Sequence, residues 1–120
     1  MSEIENVRFV LAVIDLKKST AYYTSVLGLA MDFEVPGWSF LSRGRFRVML
    51  GECTDALPPG ELGDHSYYGY ITVADADALY NEYKQSGAQF TQLLATKPWG
   101  MREFGIRTVD GHRLMFGQEL

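Results

Sequence analysis

The sequence contains a single cysteine, Cys53, and no long run of apolar residues. One cysteine cannot form an internal disulfide, which is typical of a reducing compartment. A membrane-spanning helix needs about 18 or more consecutive apolar residues, so no membrane partner is expected. The first seven residues, MSEIENV, carry acids where a secretory signal carries lysine or arginine. We therefore expect a cytoplasmic protein.

Basic residues are also scarce, with 11 Lys and Arg against 15 Asp and Glu and a net charge of -4. They form no long run, so binding to nucleic acid or to an anionic membrane is disfavoured. Residues 52–64 hold four acids and no lysine or arginine. We interpret this stretch as a solvated loop, although an acidic rim could also attract a cationic ligand.

What the sequence does contain is a repeat. The phrase RVMLGE at residues 47–52 returns as RLMFGQ at residues 113–118. Upstream of the two phrases, an offset of 60 aligns three more pairs, which are Val13 with Val73, Asp15 with Asp75 and Tyr23 with Tyr83. The 120 residues are therefore predicted to form one domain. It would consist of a module at about 6–52, a linker at 53–64 and a second module at about 65–118.

Each copy reads as a strand, a helix and three further strands. Residues 7–14, VRFVLAVI, predict a strand with Leu11 on one face and Arg8 on the other. A helix is predicted over 16–27, capped by Asp15 and ended by glycine, and its counterpart over 76–86 begins after Asp75 or Asp77. This predicts an α+β fold of two βαβββ modules. A four-stranded sheet covered by one helix leaves a bare face, so we expect the two modules to pair into a curved mixed sheet with a concave ligand face and the helices outside.

Three segments carry a resemblance to a known family. They are V-x-D-L-x-x-S-x-x-Y-Y-x-x-V-L-G-L at residues 13–29, VADADALY at 73–80 and PWGMREFGIRTVDGH at 98–112. Together they resemble the vicinal oxygen chelate superfamily, which contains glyoxalase I, extradiol dioxygenases and bleomycin resistance proteins. The third segment looks most like the bleomycin resistance branch. The resemblance implies the glyoxalase/bleomycin resistance fold.

In enzymes of this superfamily, the first and last strands of each module provide metal ligands. By the resemblance these positions fall on Arg8, Met49, Tyr68 and Met115. Arginine has no lone pair to donate, and thioethers and a phenol are poor ligands for zinc, magnesium, manganese or ferrous iron. We therefore expect no metal and no cofactor.

The same predicted face is rich in aromatic residues and methionines, which stack on flat rings and adapt to irregular shapes. Alternation places Tyr70 on the face of Tyr68, and the neighbouring strands add aromatic residues. For Trp38 and Phe40, hydrophobic core or a dimer seam is an equal alternative. The candidate ligand-binding residues are Arg8, Trp38, Phe40, Met49, Tyr68, Tyr70, Trp99, Met101 and Met115.

The other reactive side chains are interpreted as ordinary surface groups. His65 and His112 flank predicted strands and are expected to face solvent. Glu52 and Glu103 could act as single carboxylate ligands or bases, but salt-bridged surface positions are favoured. Cys53 has no histidine near it in sequence, so a half-buried thiol is favoured over a nucleophile.

Three functions remain open from the sequence. Bleomycin resistance proteins are, by the resemblance, metal-free dimers that trap a flat cationic antibiotic without chemistry. Our leading hypothesis is accordingly a metal-independent homodimer that sequesters a flat aromatic or amphipathic natural product. Arg8 is a departure, because it would repel a cation or recognise a carboxylate, phosphate or carbonyl. The alternatives are a glyoxalase-like lyase or isomerase, with unorthodox metal ligands or metal-free acid-base catalysis, and an interaction module that binds nothing small.

Overall fold

The computed structural model describes residues 2–59 and 66–120. The chain forms two compact units that divide between Ala56 and Leu57. Within the described residues, the two helices are too short to cross a membrane.

The first unit contains one helix and a four-stranded mixed sheet. Its elements are β1 (Phe9–Val13), α1 (Leu16–Ser25), β2 (Ala30–Val35), β3 (Trp38–Arg43) and β4 (Phe46–Glu52). The strand order is β1-β4-β3-β2, with β1 parallel to β4 and the other pairs antiparallel. The helix follows β1 because a parallel pair needs a crossover connection.

The second unit repeats this order. Its elements are β5 (Tyr67–Thr72), α2 (Ala76–Ser86), β6 (Gln89–Thr96), β7 (Met101–Arg107) and β8 (Arg113–Glu119). The strand order β5-β8-β7-β6 matches that of the first unit, with β5 parallel to β8. The predicted α+β fold class is therefore confirmed.

Each helix covers one face of its own sheet with apolar side chains. In the first unit, Leu11, Val13, Val48 and Leu50 are buried with Tyr23 of α1. Val10 and Ile14 of the β1 segment are exposed, as the predicted alternation requires. In the second unit the core is formed by Tyr83, Phe104, Ile106, Leu114 and Phe116.

The two helices begin alike and end differently. Asp15 accepts a hydrogen bond from the Lys18 N–H at 3.1 Å, and Asp75 accepts one from the Ala78 N–H at 3.0 Å. Asp75 is therefore the cap of α2, whereas Asp77 pairs with Arg102 at 2.8 Å. The expected α1 end at residue 27 is wrong, because the helix stops at Ser25.

The helix ends differ because the glycines stand at different distances from them. In α2 the left-handed residue, Gly87 with φ 88°, follows Ser86 directly. In α1 the residue after Ser25 is Val26, which keeps a right-handed conformation with φ -92°. The left-handed Gly28, with φ 76°, comes two residues later.

The last residue of each repeated phrase completes a helix start. The Glu52 carboxylate accepts a hydrogen bond from the Leu16 N–H at 3.1 Å, and the side-chain amide oxygen of Gln118 accepts one from the Ala76 N–H at 2.9 Å. Leu16 and Ala76 are the first residues of α1 and α2, whose N–H groups have no partner within the helix. Glu52 is thus a helix-capping side chain rather than a simple surface group.

Candidate functional site

The face of the first sheet that lies opposite α1, here called the helix-distal face of the first sheet, carries Arg8, Val10, Trp38, Phe40 and Met49. In the strand ladder, Met49 pairs with both Val10 and Phe40. The intervening residues Ser39, Leu41, Val48 and Leu50 are buried on the helix side. Four of the predicted ligand-binding residues therefore share one surface.

Aromatic rings dominate this surface. Phe40 stacks on Phe33, with ring centroids 4.2 Å apart and planes inclined by 13°. Phe33 is 51% exposed and Val10 is 60% exposed. Phe33 was absent from the sequence-based candidates. The β2–β3 register shifts between Met31 and Phe33, and this irregularity is not visible in the sequence.

Trp38 lies across the backbone of Gly51, its partner in the ladder. A Cβ atom at Gly51 would come within 2.7 Å of the indole ring, so only glycine accommodates this packing. Trp38 remains 36% exposed. A cavity of about 150 Å³ opens beside it, with Val10, Ala12 and Gly51 in its lining. The tryptophan therefore borders an open cavity.

Arg8 precedes β1 and is half-buried. Its guanidinium carbon lies 5.6 Å from the centroid of the Phe40 ring. The Nη1 atom is buried and has no hydrogen-bond partner among the described residues. Leaving a buried charged donor without an acceptor costs free energy, so the unpaired Nη1 of Arg8 is an unusual feature.

The helix-distal face of the second sheet carries Tyr70, Glu103, Gly105, Met115 and Gly117. The Tyr70 hydroxyl donates a hydrogen bond of 2.5 Å to the Glu103 carboxylate. Glu103 is only 5% exposed, so the expectation of a salt-bridged surface carboxylate is wrong. Burial raises the pKa of the Tyr70 phenol, and the hydrogen bond to Glu103 raises it further.

A cavity of about 130 Å³ opens on the second sheet beside Met115. Its other lining residues are Tyr67, Thr91, Gln92 and Arg113. None of these four was predicted. Tyr67, Thr91 and Gln92 lie beside register shifts in β5 and β6, whereas alternation with Met115 along β8 could have identified Arg113. The cavity is lined by polar groups around a methionine, which suits a ligand edge that carries hydrogen-bonding groups.

Tyr68 and His112 depart from the expectations. The β5–β8 register shifts between Tyr67 and Gly69, so strict alternation of Tyr68 with Tyr70 does not hold. The Tyr68 ring instead meets the His112 ring edge-on, with centroids 5.9 Å apart. His112 is half-buried rather than solvent-facing, and burial lowers its pKa. His65 lies outside the described residues.

Trp99 and Met101 were both expected on strands that neighbour the strand of Tyr68 and Tyr70, and only Met101 lies in a strand. Met101 begins β7, whereas Trp99 lies in the turn that precedes it and is 65% exposed. The Lys97 ammonium lies 6.0 Å from a Trp99 ring centroid. A turn residue with this exposure contributes little to the sheet surface of its own unit.

Cys53 has little nucleophilic character. Its thiol donates a hydrogen bond of 3.1 Å to the Asp55 carboxylate. This hydrogen bond and the negative charge of Asp55 raise the pKa of the thiol, so less of the reactive thiolate is present at neutral pH.

The side chains at the positions that the resemblance assigns to metal ligands do not fit a metal ion. The first unit offers Arg8 and Met49, and the second offers Tyr68 and Met115, which is a set without imidazole or carboxylate donors. Across residues 2–59 and 66–120, no group of three or more histidine, cysteine, aspartate or glutamate side chains is arranged to hold a metal ion.

The family assignment rests on the length of the sequence match. A family profile described as Glyoxalase/Bleomycin resistance protein/Dioxygenase superfamily matches residues 7–116. The chain belongs to this superfamily. Comparison with curated proteins finds no significant match.

Solved structures with this fold include TioX, an antibiotic binding protein and a bleomycin-binding protein. TioX from Micromonospora sp. ML1 is 24% identical, with a TM-score of 0.80 over 97% of this chain and 99% of its own. The antibiotic binding protein TnmS3 from Streptomyces sp. CB03234 is 21% identical, with a TM-score of 0.80 over 100% and 99%. The bleomycin-binding protein of Streptomyces verticillus, solved with copper(II)-bleomycin, is 24% identical, with a TM-score of 0.74 over 97% of each chain. These likenesses establish the shared fold.

Proposed function

We propose that this protein is a small-molecule binding protein that sequesters a flat aromatic or amphipathic natural product, such as an antibiotic, without a metal and without chemical change. The observation that carries the proposal is the aromatic surface of the first sheet, where Phe33, Phe40 and Trp38 remain partly exposed. Large exposed apolar patches on soluble proteins commonly mark binding sites. The antibiotic-binding proteins among the solved relatives support the same class of function.

Flat ligands suit this surface for a physical reason. Phe33 stacks on Phe40 and is 51% exposed, and the indole of Trp38 lies over the backbone of Gly51 and is 36% exposed. Ring faces bury a large area at little cost in side-chain entropy, and they favour offset stacking on another conjugated ring. The arrangement therefore favours planar molecules over compact aliphatic ones.

Tryptophan fluorescence provides a direct test, because the chain has only two tryptophans. In W99F, Trp38 is the sole reporter and sits on the proposed binding surface. Titration with bleomycin, copper(II)-bleomycin and anthraquinone-2-carboxylate should quench Trp38 with saturation for at least one compound. Chelator should leave binding of the metal-free compounds unchanged, and chromatography should recover the bound compound intact.

W38F is the matched control, since it keeps only the turn residue Trp99. Its fluorescence should respond weakly to the same titrations. Saturable quenching of Trp99 with none of Trp38 would place binding elsewhere, and chemical conversion of the bound compound would refute sequestration.

We also propose that the protein acts as a cytoplasmic homodimer. The proposal is supported by partly exposed apolar side chains on the first sheet, which a second copy of the chain would cover. They include Val10, Phe33, Val35 and Trp38. Size-exclusion chromatography with light scattering should give twice the chain mass. A mass equal to one chain at micromolar concentration would refute the dimer.

An alternative function is favoured by one observation, the buried Glu103 carboxylate that holds the Tyr70 hydroxyl. A carboxylate and a phenol in direct contact can act as a base and an acid, as metal-free lyase or isomerase chemistry would require. The hemithioacetal of methylglyoxal and glutathione is the substrate to test. Turnover that is lost in E103Q and Y70F, while each variant keeps its fold, would favour the enzyme over the binding protein.

A further inference from the structure

Arg8 is a charged group without a counterpart among the described residues. Its guanidinium makes no ion pair or hydrogen bond with them, and it contacts the Phe40 ring. A contact with a ring face attracts the cation but does not satisfy the N–H groups of the guanidinium. The buried Nη1 therefore remains available to an acceptor that residues 2–59 and 66–120 do not supply.

The surroundings of Arg8 restrict the shape of that acceptor. The Phe40 ring contacts the guanidinium and stacks on Phe33, which is itself 51% exposed. Aromatic surface therefore borders the charged group. A ligand with a planar aromatic part and an oxygen substituent would cover this surface and supply the missing acceptor.

We propose that the first sheet binds a planar aromatic anion, whose carboxylate or phenolate oxygen accepts hydrogen bonds from Arg8. This inference rests on the proposed function and narrows its ligand class. Arginine favours such oxygens because its planar fork donates two parallel hydrogen bonds. A planar cation of the same size would leave Arg8 unpaired and would bring two like charges together.

The net charge of the chain cannot explain a preference for anionic ligands. A net charge of -4 repels anions at a distance and so does not steer them toward the protein. The preference for an anion must therefore come from the contact with Arg8 itself. It should disappear when that one side chain loses its charge.

Three compounds with one ring system separate charge from shape. They are anthraquinone-2-carboxylate, the neutral 2-(hydroxymethyl)anthraquinone and the cationic 2-(aminomethyl)anthraquinone. Their Kd values are measured by Trp38 fluorescence in W99F and in W99F combined with R8M. We expect the carboxylate to bind at least about tenfold more tightly than the alcohol, as a charge-assisted hydrogen bond predicts, and the amine to bind most weakly.

The R8M change should bring the Kd values of the carboxylate and the alcohol to within about twofold of each other. R45M is the matched control, because it removes the same charge from the exposed turn between β3 and β4. It should keep the preference for the carboxylate. R8K should lower the preference without abolishing it, since lysine keeps the charge but not the fork. It also provides the test if R8M fails to show the circular dichroism of the folded protein.

The outcomes distinguish this inference from the function on which it rests. Equal affinity for the carboxylate and the alcohol, or an undiminished preference in both R8M and R8K, would overturn the role of Arg8 and leave a binding protein for flat molecules. Binding of none of the three compounds would overturn the inference and also count against the proposed function.

Discussion

The glycine in each repeated phrase provides room for a ring. Gly51 and Gly117 occupy equivalent positions, and each lies under an aromatic side chain of a neighbouring strand. The indole of Trp38 covers Gly51, and the phenol of Tyr70 covers Gly117. A Cβ atom at either position would collide with the ring, so the repeat preserves a packing requirement of the helix-distal faces.

G117A should displace Tyr70 and weaken its hydrogen bond to Glu103. We expect the free energy of unfolding to fall by about 1–3 kcal/mol, the usual cost of overpacking. In a Y70V background the same change should be nearly neutral, because the ring that contacts Gly117 is gone. Valine is chosen because Val10 occupies the equivalent position in the first module. Urea denaturation of the wild type, the two single variants and the double variant measures the coupling free energy between positions 70 and 117. An equal cost of G117A in both backgrounds would contradict the contact.

His112 makes stability depend on pH. Burial lowers its pKa below the usual value near 6.5, although the charge of Asp110 partly offsets the effect. As pH falls through 6.5, the unfolded state therefore takes up a proton before the folded state does. The folded protein loses stability across this window, and the loss ends below the folded-state pKa.

Comparison with H112Q should isolate this effect. The fall in the free energy of unfolding between neutral pH and pH values below about 6 should be smaller in the variant, because glutamine does not titrate. NMR of H65Q, which retains a single histidine, measures the pKa directly. Titration of His112 at or above its ordinary value would contradict burial as the dominant influence.

At the scale of elements, the last strand of each module also fixes the start of its helix. Glu52 at the end of β4 accepts from the first N–H of α1, and Gln118 near the end of β8 does the same for α2. Each module therefore connects its final strand to its helix by a side-chain hydrogen bond. A carboxylate and an amide serve equally, since both present an oxygen acceptor.

E52A and Q118A should each lower the free energy of unfolding by about 1 kcal/mol, as the loss of a helix-capping acceptor usually does. E119A is the matched control, because Glu119 is exposed at the end of β8. It should change stability by less than about 0.5 kcal/mol. Urea denaturation gives all three values, and equal costs at positions 118 and 119 would refute the capping role.

At the scale of the whole molecule, the positions that the resemblance assigns to metal ligands hold poor metal donors in both modules. Arg8 and Met49 stand in the first, and Tyr68 and Met115 stand in the second. Neither module offers imidazole or carboxylate at these positions. Folding therefore brings no strong metal donors together there, and a metal ion should bind the folded chain no more tightly than the unfolded chain. Metal ions should therefore not stabilise the protein.

Zinc, nickel, manganese and ferrous iron at a few equivalents should leave the Tm unchanged. A ligand that binds only the folded state raises the Tm, so the measurement reports binding directly. Elemental analysis of protein purified without chelator provides the control. Less than about 0.1 equivalent of metal is expected, because the four positions lack imidazole and carboxylate donors. One equivalent per chain, or a raised Tm, would restore the metal-dependent enzyme hypothesis.

The order of elements and the helix-covered faces could be predicted because they depend on local patterns. Alternation in β1, the caps Asp15 and Asp75 and the stop at Gly87 are signals carried by neighbouring residues. The resemblance supplied the fold family and the metal positions. The candidate site was predicted less completely, and Phe33 and Tyr67 were missed for the same physical reason. Both lie beside register shifts, which reverse the expected face of a residue without a sequence signal.

By itself, the sequence determined that the chain consists of two similar βαβββ modules, because this conclusion depends only on which residue stands at which spacing. The resemblance implied in addition that the family's metal positions hold residues unsuited to metal. Tertiary structure alone decided that Glu103 is buried against Tyr70 and that Nη1 of Arg8 is buried without an acceptor in the described part of the chain. These facts arise from contacts between strands that are distant in sequence, and the environment of a charged group is set by such contacts rather than by its neighbours along the chain.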